Sequence, residues 1–366
     1  MSRVSSDALR RIESLLSAEV DADRLMGCAV QVSVNGTPSP PIVVGRRRLS
    51  DPAVLVEPDT IFLVASITKP IVAAAVVRLV EEGHVVLDDP VTQYVPEFGA
   101  NRKEDVQIRH LLTHTSGLPD QIPENRAFRE SKKPLSDFVA RICELPLSFE
   151  PGTRISYQSS GIAMLGEICE RITGTSLADY LHEQFFAPIG LKDTQLRMAE
   201  RSDRESDVKI AGEGLLHGGA GTDFDWNSDY WRGFGAPGGG MLTTTEEMTR
   251  LLLLFRNGGE LDGKRVMTEA SVSRMIEDHS STIPGMTAEH CKRQRWGLGW
   301  RLSGPKADVF GDLVSDDTFG HGGATGTLAW VDPARDLTCV IFTNDPEGAK
   351  SLRGRISNVV VSAVEG

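Results

Sequence analysis

The sequence predicts an α+β fold in which a sheet domain drawn from both chain ends is interrupted by a mainly helical region. Strand pairs with hairpin-type connections stand near each end, and the stretch between them is dominated by helical segments punctuated by Gly and Pro. No internal repeat offers a solenoid or propeller instead. The expected boundaries are a discontinuous α/β sheet domain over 1–87 and 257–366, and an inserted helical region over 88–256.

Ser5 and Ser6 are candidate N-caps for a first helix whose Leu9, Ile12, Leu15, Leu16 and Val20 recur at helical spacing, a stripe that should pack on a sheet. Gly27 to Val34 and Ile42 to Arg47 read as strands joined across Asn35-Gly36 and a proline-rich loop. Pro70 to Glu82 is apolar nearly all round, which marks a buried helix. Helices follow at Val106 to Leu112, Leu135 to Leu145, Gly161 to Ile172, Ser176 to Phe185 and Glu246 to Phe255, the last with a Thr243-x-x-Glu246 capping box. Gly212 to Asp229, rich in Gly and Asp, reads as a loop. Gly326 to Val331 and Leu337 to Asn344 flank Asp332-Pro333-Ala334-Arg335-Asp336, a second hairpin signature.

The chain of 366 residues is long enough to bury a core without a metal or disulfide staple. Its formal charge of −12 excludes a general nucleic-acid or anionic-membrane binder. Cys28, Cys143, Cys169, Cys291 and Cys339 are scattered and form no CxxC or CxxH spacing, so neither a zinc site nor a disulfide framework is expected. No cofactor is expected. The first residues alternate charge within a helical pattern and lack the features of an export signal, so the expected location is cytoplasmic. No apolar run reaches the roughly 20 residues that cross a bilayer.

Ser66-Ile67-Thr68-Lys69 stands just before the buried helix. Residues at i and i+3 share a helical face, so the lysine amine can approach the serine hydroxyl. A serine is a poor nucleophile until a base takes its proton, and a lysine at a buried helix start can lose hydration and serve as that base. On its own, S-x-x-K also describes an N-cap serine followed by a solvated lysine. Two further segments weigh against that reading. Tyr157-Gln158-Ser159 precedes a helix, and His321-Gly322-Gly323-Ala324 leads into a strand. His110 and His114 are four apart, but no acidic or third ligand accompanies them, so a structural role is expected for both.

In order, S-x-x-K, Y-x-S and H-x-G resemble the three active-site motifs of the serine β-lactamase superfamily, in its class C-like esterase and D,D-peptidase branch. Framing phrases agree: Ile108 to Pro119, Pro151-Gly152, Gly238-Gly239-Gly240-Met241 and Trp296-Gly297-Leu298-Gly299-Trp300. The resemblance implies a β-lactamase/transpeptidase-like fold: an antiparallel sheet flanked by helices, an inserted all-helical domain, and a cleft between them. It implies Ser66 as nucleophile, Lys69 as its proton acceptor, and Tyr157 as the second acid and base. It also implies an oxyanion hole from the amides of Ser66 and Ala324. Ser159, His321, Gly322 and Gly323 fall at substrate-binding positions, with the glycine pair letting substrate lie against the strand. His321 also admits a purely structural reading. Gln121 aligns with a substrate-amide contact of class C enzymes, or else is a solvated loop residue.

Penicillin-recognising members carry Lys-Thr-Gly or Lys-Ser-Gly at the third motif, and class C β-lactamases carry Asn where Ser159 stands. Both departures resemble the family's carboxylesterases, because a neutral imidazole and a glycine bind a carboxylate less strongly than an ammonium and a hydroxyl. The expected activity is therefore a carboxylesterase on small esters through a Ser66 acyl-enzyme. The alternatives are a D,D-peptidase, D-amino-acid amidase or weak β-lactamase, and a non-catalytic scaffold. The expected partner is a small-molecule ester or amide, with no nucleic acid and no membrane.

Overall fold

Seven strands join in one antiparallel sheet: β1 (Gly27–Val34), β2 (Thr37–Pro38), β3 (Ile42–Gly45), β4 (Arg301–Leu302), β5 (Phe319–Gly322), β6 (Leu328–Asp332) and β7 (Leu337–Thr343). These come from a computed structural model that describes residues 5–364 apart from 199, 212–218, 282 and 305–308. The order is β2-β1-β7-β6-β5-β4, with β3 also on β1, so the two chain ends meet at β1 and β7 in the middle of the sheet. That pairing sets Cys28 opposite Thr343 and Val34 opposite Leu337.

Helices important for the site are α1 (Ser6–Asp21), α2 (Thr68–Glu81), α3 (Leu135–Glu144), α4 (Ser160–Thr173), α5 (Asp229–Phe234), α6 (Thr245–Arg256) and α7 (Pro346–Ser362). Side chains alternate across a strand, and the sheet sorts them into two cores. Val30, Val32, Trp330, Cys339 and Ile341 meet Ile12 and Leu16 of α1 and Leu352, Ile356 and Val360 of α7. Ala29, Ala329, Val331, Val340 and Phe342 face the other way, into a core that continues through α2, α4 and α6. With both faces covered, every residue of β1 and β7 is buried, the polar Gln31, Ser33, Thr338 and Thr343 included.

Several local expectations shift. Ser5 caps α1 by accepting from the Ala8 amide, and Ser6 is already helical. The buried helix opens at Thr68 rather than Pro70, which brings Lys69 inside it. Ser176 to Phe185 is not one helix: an α segment at Leu177–Leu181 gives way to a π turn at His182–Phe186.

The expected capping box is displaced by one residue. Thr244 caps α6, while Thr243 pairs with Phe62 in a short strand. Glu247 then turns away from the cap and accepts from the Lys192 and Asp193 amides and the Thr194 hydroxyl. Although α6 lies within the 88–256 stretch, it packs on β1, β6 and β7 of the sheet. Of the Gly212 to Asp229 loop, 212–218 lie outside the described residues, and Asp229 opens α5.

Candidate active site

The strand Phe62–Leu63 pairs with Leu242–Thr243 and delivers the chain to a tight turn ahead of α2. There Ala65 takes a φ of +47°, in the left-handed region where a β-carbon crowds the backbone. The strain is held by three threonines that satisfy successive carbonyls. Thr325 donates to Leu63 O at 2.7 Å, Thr327 to Val64 O at 2.9 Å and Thr68 to Ala65 O at 2.6 Å. Ser66 follows in the short 3-10 turn Ala65–Ile67.

Lys69, one residue into α2, is 1% exposed. Its Nζ lies 3.1 Å from Ser66 Oγ and 2.6 Å from the Gly238 carbonyl oxygen, and sits 4.8 Å above the centre of the Tyr157 ring. Gly238 is glycine for a reason of space. A β-carbon there would stand 3.1 Å from Ser159 Cβ and 3.5 Å from Lys69 Nζ. A run of three glycines was the visible sequence signal for such a close approach.

Tyr157 is framed by the segment 114–120. Ser156 N donates to His114 O, and Gln158 N donates to His114 Nδ1. Ser159 N donates to Asp120 Oδ1 at 2.7 Å, while Ser160 N donates to the Asp120 carbonyl at 2.9 Å. The Tyr157 ring lies 4.8 Å from His114, 5.7 Å from Trp296 and 6.0 Å from His321, centre to centre. Trp296 opens one of the framing segments and Asp120 directly follows another, but no local pattern marks either as a support.

His114 and His321, both buried, are uncharged. Burial, reinforced by the Lys69 charge, pushes His321 down to about 3 and His114 well below its ordinary value. His321 Nδ1 is 2.7 Å from the Gly322 carbonyl oxygen, which only accepts, so the proton sits on Nδ1 and Nε2 is bare. His114 takes the opposite tautomer, because its Nδ1 accepts from an amide. His110 instead caps a helix at Gln107. Among the described residues, no group of three or more His, Cys, Asp and Glu is placed to hold a metal ion.

A cavity of about 210 Å³ gathers Ser66, Tyr157, Ser159, Gln121 and Ala324 on one wall system, with Asp120 beside them. Lys69 is buried directly behind Ser66. The rest of the third motif is not on that wall. His321 packs behind Tyr157 and Trp296, and the vacant side-chain position of Gly322 points toward Arg353 of α7, 3.5 Å from Nη1. A side chain at Gly323 would overlap Val64 O and Thr327 Oγ1. Gly323 thus lets the chain just after β5 press on the serine turn, and neither glycine clears room on the cavity wall.

The geometry sets an S-x-x-K pair, a tyrosine and a strand-end amide around one cavity, and comparison with known proteins gives the family. A family model described as Beta-lactamase matches residues 12–362. The chain belongs to the beta-lactamase family. Among curated members, a protein of Salmonella agona (strain SL483) named "Putative D-alanyl-D-alanine carboxypeptidase" is 27% identical over 348 residues, covering 87% of this chain and 77% of that protein. Solved family folds superpose over almost the whole chain. EstCE1, a hydrolase with promiscuous acyltransferase activity, gives a TM-score of 0.78 at 21% identity, covering 98% of both chains. A family VIII carboxylesterase gives 0.76 at 22% identity, covering 99% of this chain and 98% of its own. A penicillin-binding protein homologue from Caulobacter crescentus gives 0.78 at 20% identity, covering 100% and 98%. The chain is a β-lactamase-fold serine hydrolase, and among its described residues no helix is long and apolar enough to cross a membrane.

Proposed function

We propose that the protein is a carboxylesterase that works through an acyl-enzyme on Ser66. In its neutral form, Lys69 takes the hydroxyl proton as Oγ bonds to the ester carbonyl carbon, and the resulting oxyanion is received by the amides of Ser66 and Ala324. Collapse breaks the bond to the alkoxy oxygen, which leaves as the alcohol after taking a proton from Tyr157. Water then attacks the acyl carbon as Tyr157 accepts its proton, and the acyl–Oγ bond breaks as Lys69 returns its proton to Oγ, which releases the acid and restores Ser66. Support for the first step is the 3.1 Å approach of Lys69 Nζ to Ser66 Oγ.

The ester preference rests on one observation. At the third motif the side chain is an uncharged, buried imidazole whose one N–H is already committed to the Gly322 carbonyl. It offers no cation to a carboxylate-bearing peptide or β-lactam. The relatives named for D-alanyl-D-alanine carboxypeptidase favour a second reading, D,D-peptidase activity. A panel of nitrophenyl esters, D-alanyl-D-alanine peptides and cephalosporins, run beside fluorophosphonate labelling of Ser66, separates the two. Esters should be turned over at least tenfold faster in kcat/KM than either other class. Faster peptide or cephalosporin turnover would replace the esterase reading.

A further inference from the structure

The reacting groups occupy only part of the 210 Å³ cavity. Most of the remainder is apolar, from Phe138 and Ile142 of α3, Ala163 of α4, and Trp231 and Phe234 of α5, while Asn125 and the buried Arg129, whose guanidinium lies 4.4 Å over the Trp231 ring, also stand on the wall. Phe138 meets Phe234 edge to face at 5.0 Å, and Trp231 stacks on Phe234 at 5.8 Å. The packing is fixed by an anchor behind it. Arg232, the neighbour of Trp231, is paired with Glu205 where both side chains are at most 3% exposed. The recess is therefore mainly apolar and aromatic, and held in shape.

Size sets what fits. A dry cavity of about 150 Å³ lined by apolar side chains holds a benzene ring. The whole cavity is about 210 Å³, and the part beyond the reacting groups takes a group of about benzene size, such as a phenyl ring or an alkyl tail of about six to eight carbons. The acyl part of the substrate has the stronger claim to it. The acyl group stays bonded to Ser66 Oγ after the alcohol departs, so a closed apolar recess grips it through both half-reactions. An alcohol lodged there would have to withdraw before water could reach the acyl carbon.

Resting on the esterase reading, we infer that this recess is an acyl-binding subsite selecting medium-chain or aromatic acyl esters, with Ala163 and Phe138 setting its depth. Burying each added methylene should raise kcat/KM about fourfold while the chain fits. The rise should stop at about eight carbons.

The test is a ladder of p-nitrophenyl esters from acetyl to dodecanoyl, run against acetate esters of alcohols of matching length. The expected result is a maximum near six to eight acyl carbons and a flat response to the alcohol. Ala163→Phe should lower the octanoyl-to-acetyl kcat/KM ratio at least tenfold, and Phe138→Ala should move the maximum to longer chains. Ala163→Leu, a smaller intrusion, provides the same reading if the phenylalanine variant misfolds by circular dichroism. An acyl ladder that is flat, or a maximum that follows the alcohol, overturns the subsite. Binding without turnover separates the two readings. In Ser66→Ala protein, octanoate should quench the fluorescence of Trp226 and Trp231 at least tenfold more tightly than acetate. If fluorophosphonate fails to label Ser66 while octanoate still binds selectively, the esterase reading falls and the apolar subsite stands. Loss of octanoate selectivity in a protein that labels normally overturns the subsite alone.

Discussion

The carbonyl oxygen of Val64 sits where Gly323 would carry a side chain. Backbone therefore meets backbone between the turn that presents Ser66 and the end of the strand that presents Ala324, and Thr327 fastens the contact by donating to the same carbonyl at 2.9 Å. The spacing of the two amides proposed for the oxyanion hole is set by this contact.

Gly323→Ala should accordingly damage both stability and rate. A methyl group forced into a filled site costs about 1–3 kcal/mol. A shift of about 1 Å between the two amides should lower kcat about a hundredfold, with a smaller change in KM. Thermal unfolding and steady-state kinetics on one preparation check this, and wild-type kcat in the variant would show that the contact does not set the amide spacing.

Ser66→Ala should abolish fluorophosphonate labelling and lower kcat by about three or more orders of magnitude while leaving the thermal midpoint nearly unchanged. The substitution removes only a hydroxyl from a turn that other residues hold. Retained labelling would move the nucleophile elsewhere.

Lys69→Arg asks whether the amine is the base. A guanidinium stays protonated in proteins and cannot accept the serine proton, so hydrolysis and labelling should fall together, each by about a thousandfold or more. A variant that labels at the wild-type rate would place the base on another group.

Asp120 is the support least visible in the sequence, and its removal should be felt at Tyr157. Asp120→Ala removes the 2.7 Å side-chain acceptor of the Ser159 amide and leaves it only the Asp120 carbonyl at 3.0 Å, which loosens the turn carrying Tyr157. The expected loss is about tenfold or more in kcat, and Asp120→Asn, which keeps an acceptor oxygen, should recover most of it. Equal loss in both variants would point to the carboxylate charge instead of its position.

What could be read beforehand divides along chain distance. Ser66 and Lys69 announce themselves because their relationship is three residues long, and helix geometry converts that spacing into proximity. Tyr157 and the strand-end amide needed the resemblance, since nothing in the spacing between Lys69 and Tyr157 encodes the 4.8 Å between amine and ring. Where two local solutions competed, tertiary pairing chose. Thr243 and Thr244 each begin a T-x-x-E pattern, and the strand contact of Thr243 with Phe62 leaves Thr244 as the cap. The acyl recess was out of reach, because helical spacing in α3 and α4 does not say which face lines a cavity, and the six-residue α5 has no helix signal that the sequence analysis could place.

Acid should unfold the protein earlier than its carboxylates alone would dictate. His321 is held neutral by burial and by the Lys69 charge, with its folded value down at about 3, against about 6.5 in an unfolded chain. Below pH 6.5 the unfolded state binds a proton that the folded state refuses. The stabilising contribution is thus full above pH 6.5 and is lost progressively as pH falls toward 3, at up to about 1.4 kcal/mol per pH unit for each such histidine. His114, shifted the same way, adds to the slope. Asp207 and Asp278 are held below the usual carboxylate range by Arg201 and Arg295 and by backbone amides that overcome their burial, so they join only at lower pH. Between about pH 4.5 and 6.5 the slope comes from the histidines, with His110 and His279 lowered by burial as well, and is opposed by Glu205, whose carboxyl burial holds above its ordinary value. Urea unfolding of wild type and His321→Gln across that range should show the variant losing stability less steeply, by up to one proton's worth. Parallel slopes would mean that His321 becomes protonated in the folded protein, and the neutral imidazole behind the ester preference would have to be abandoned.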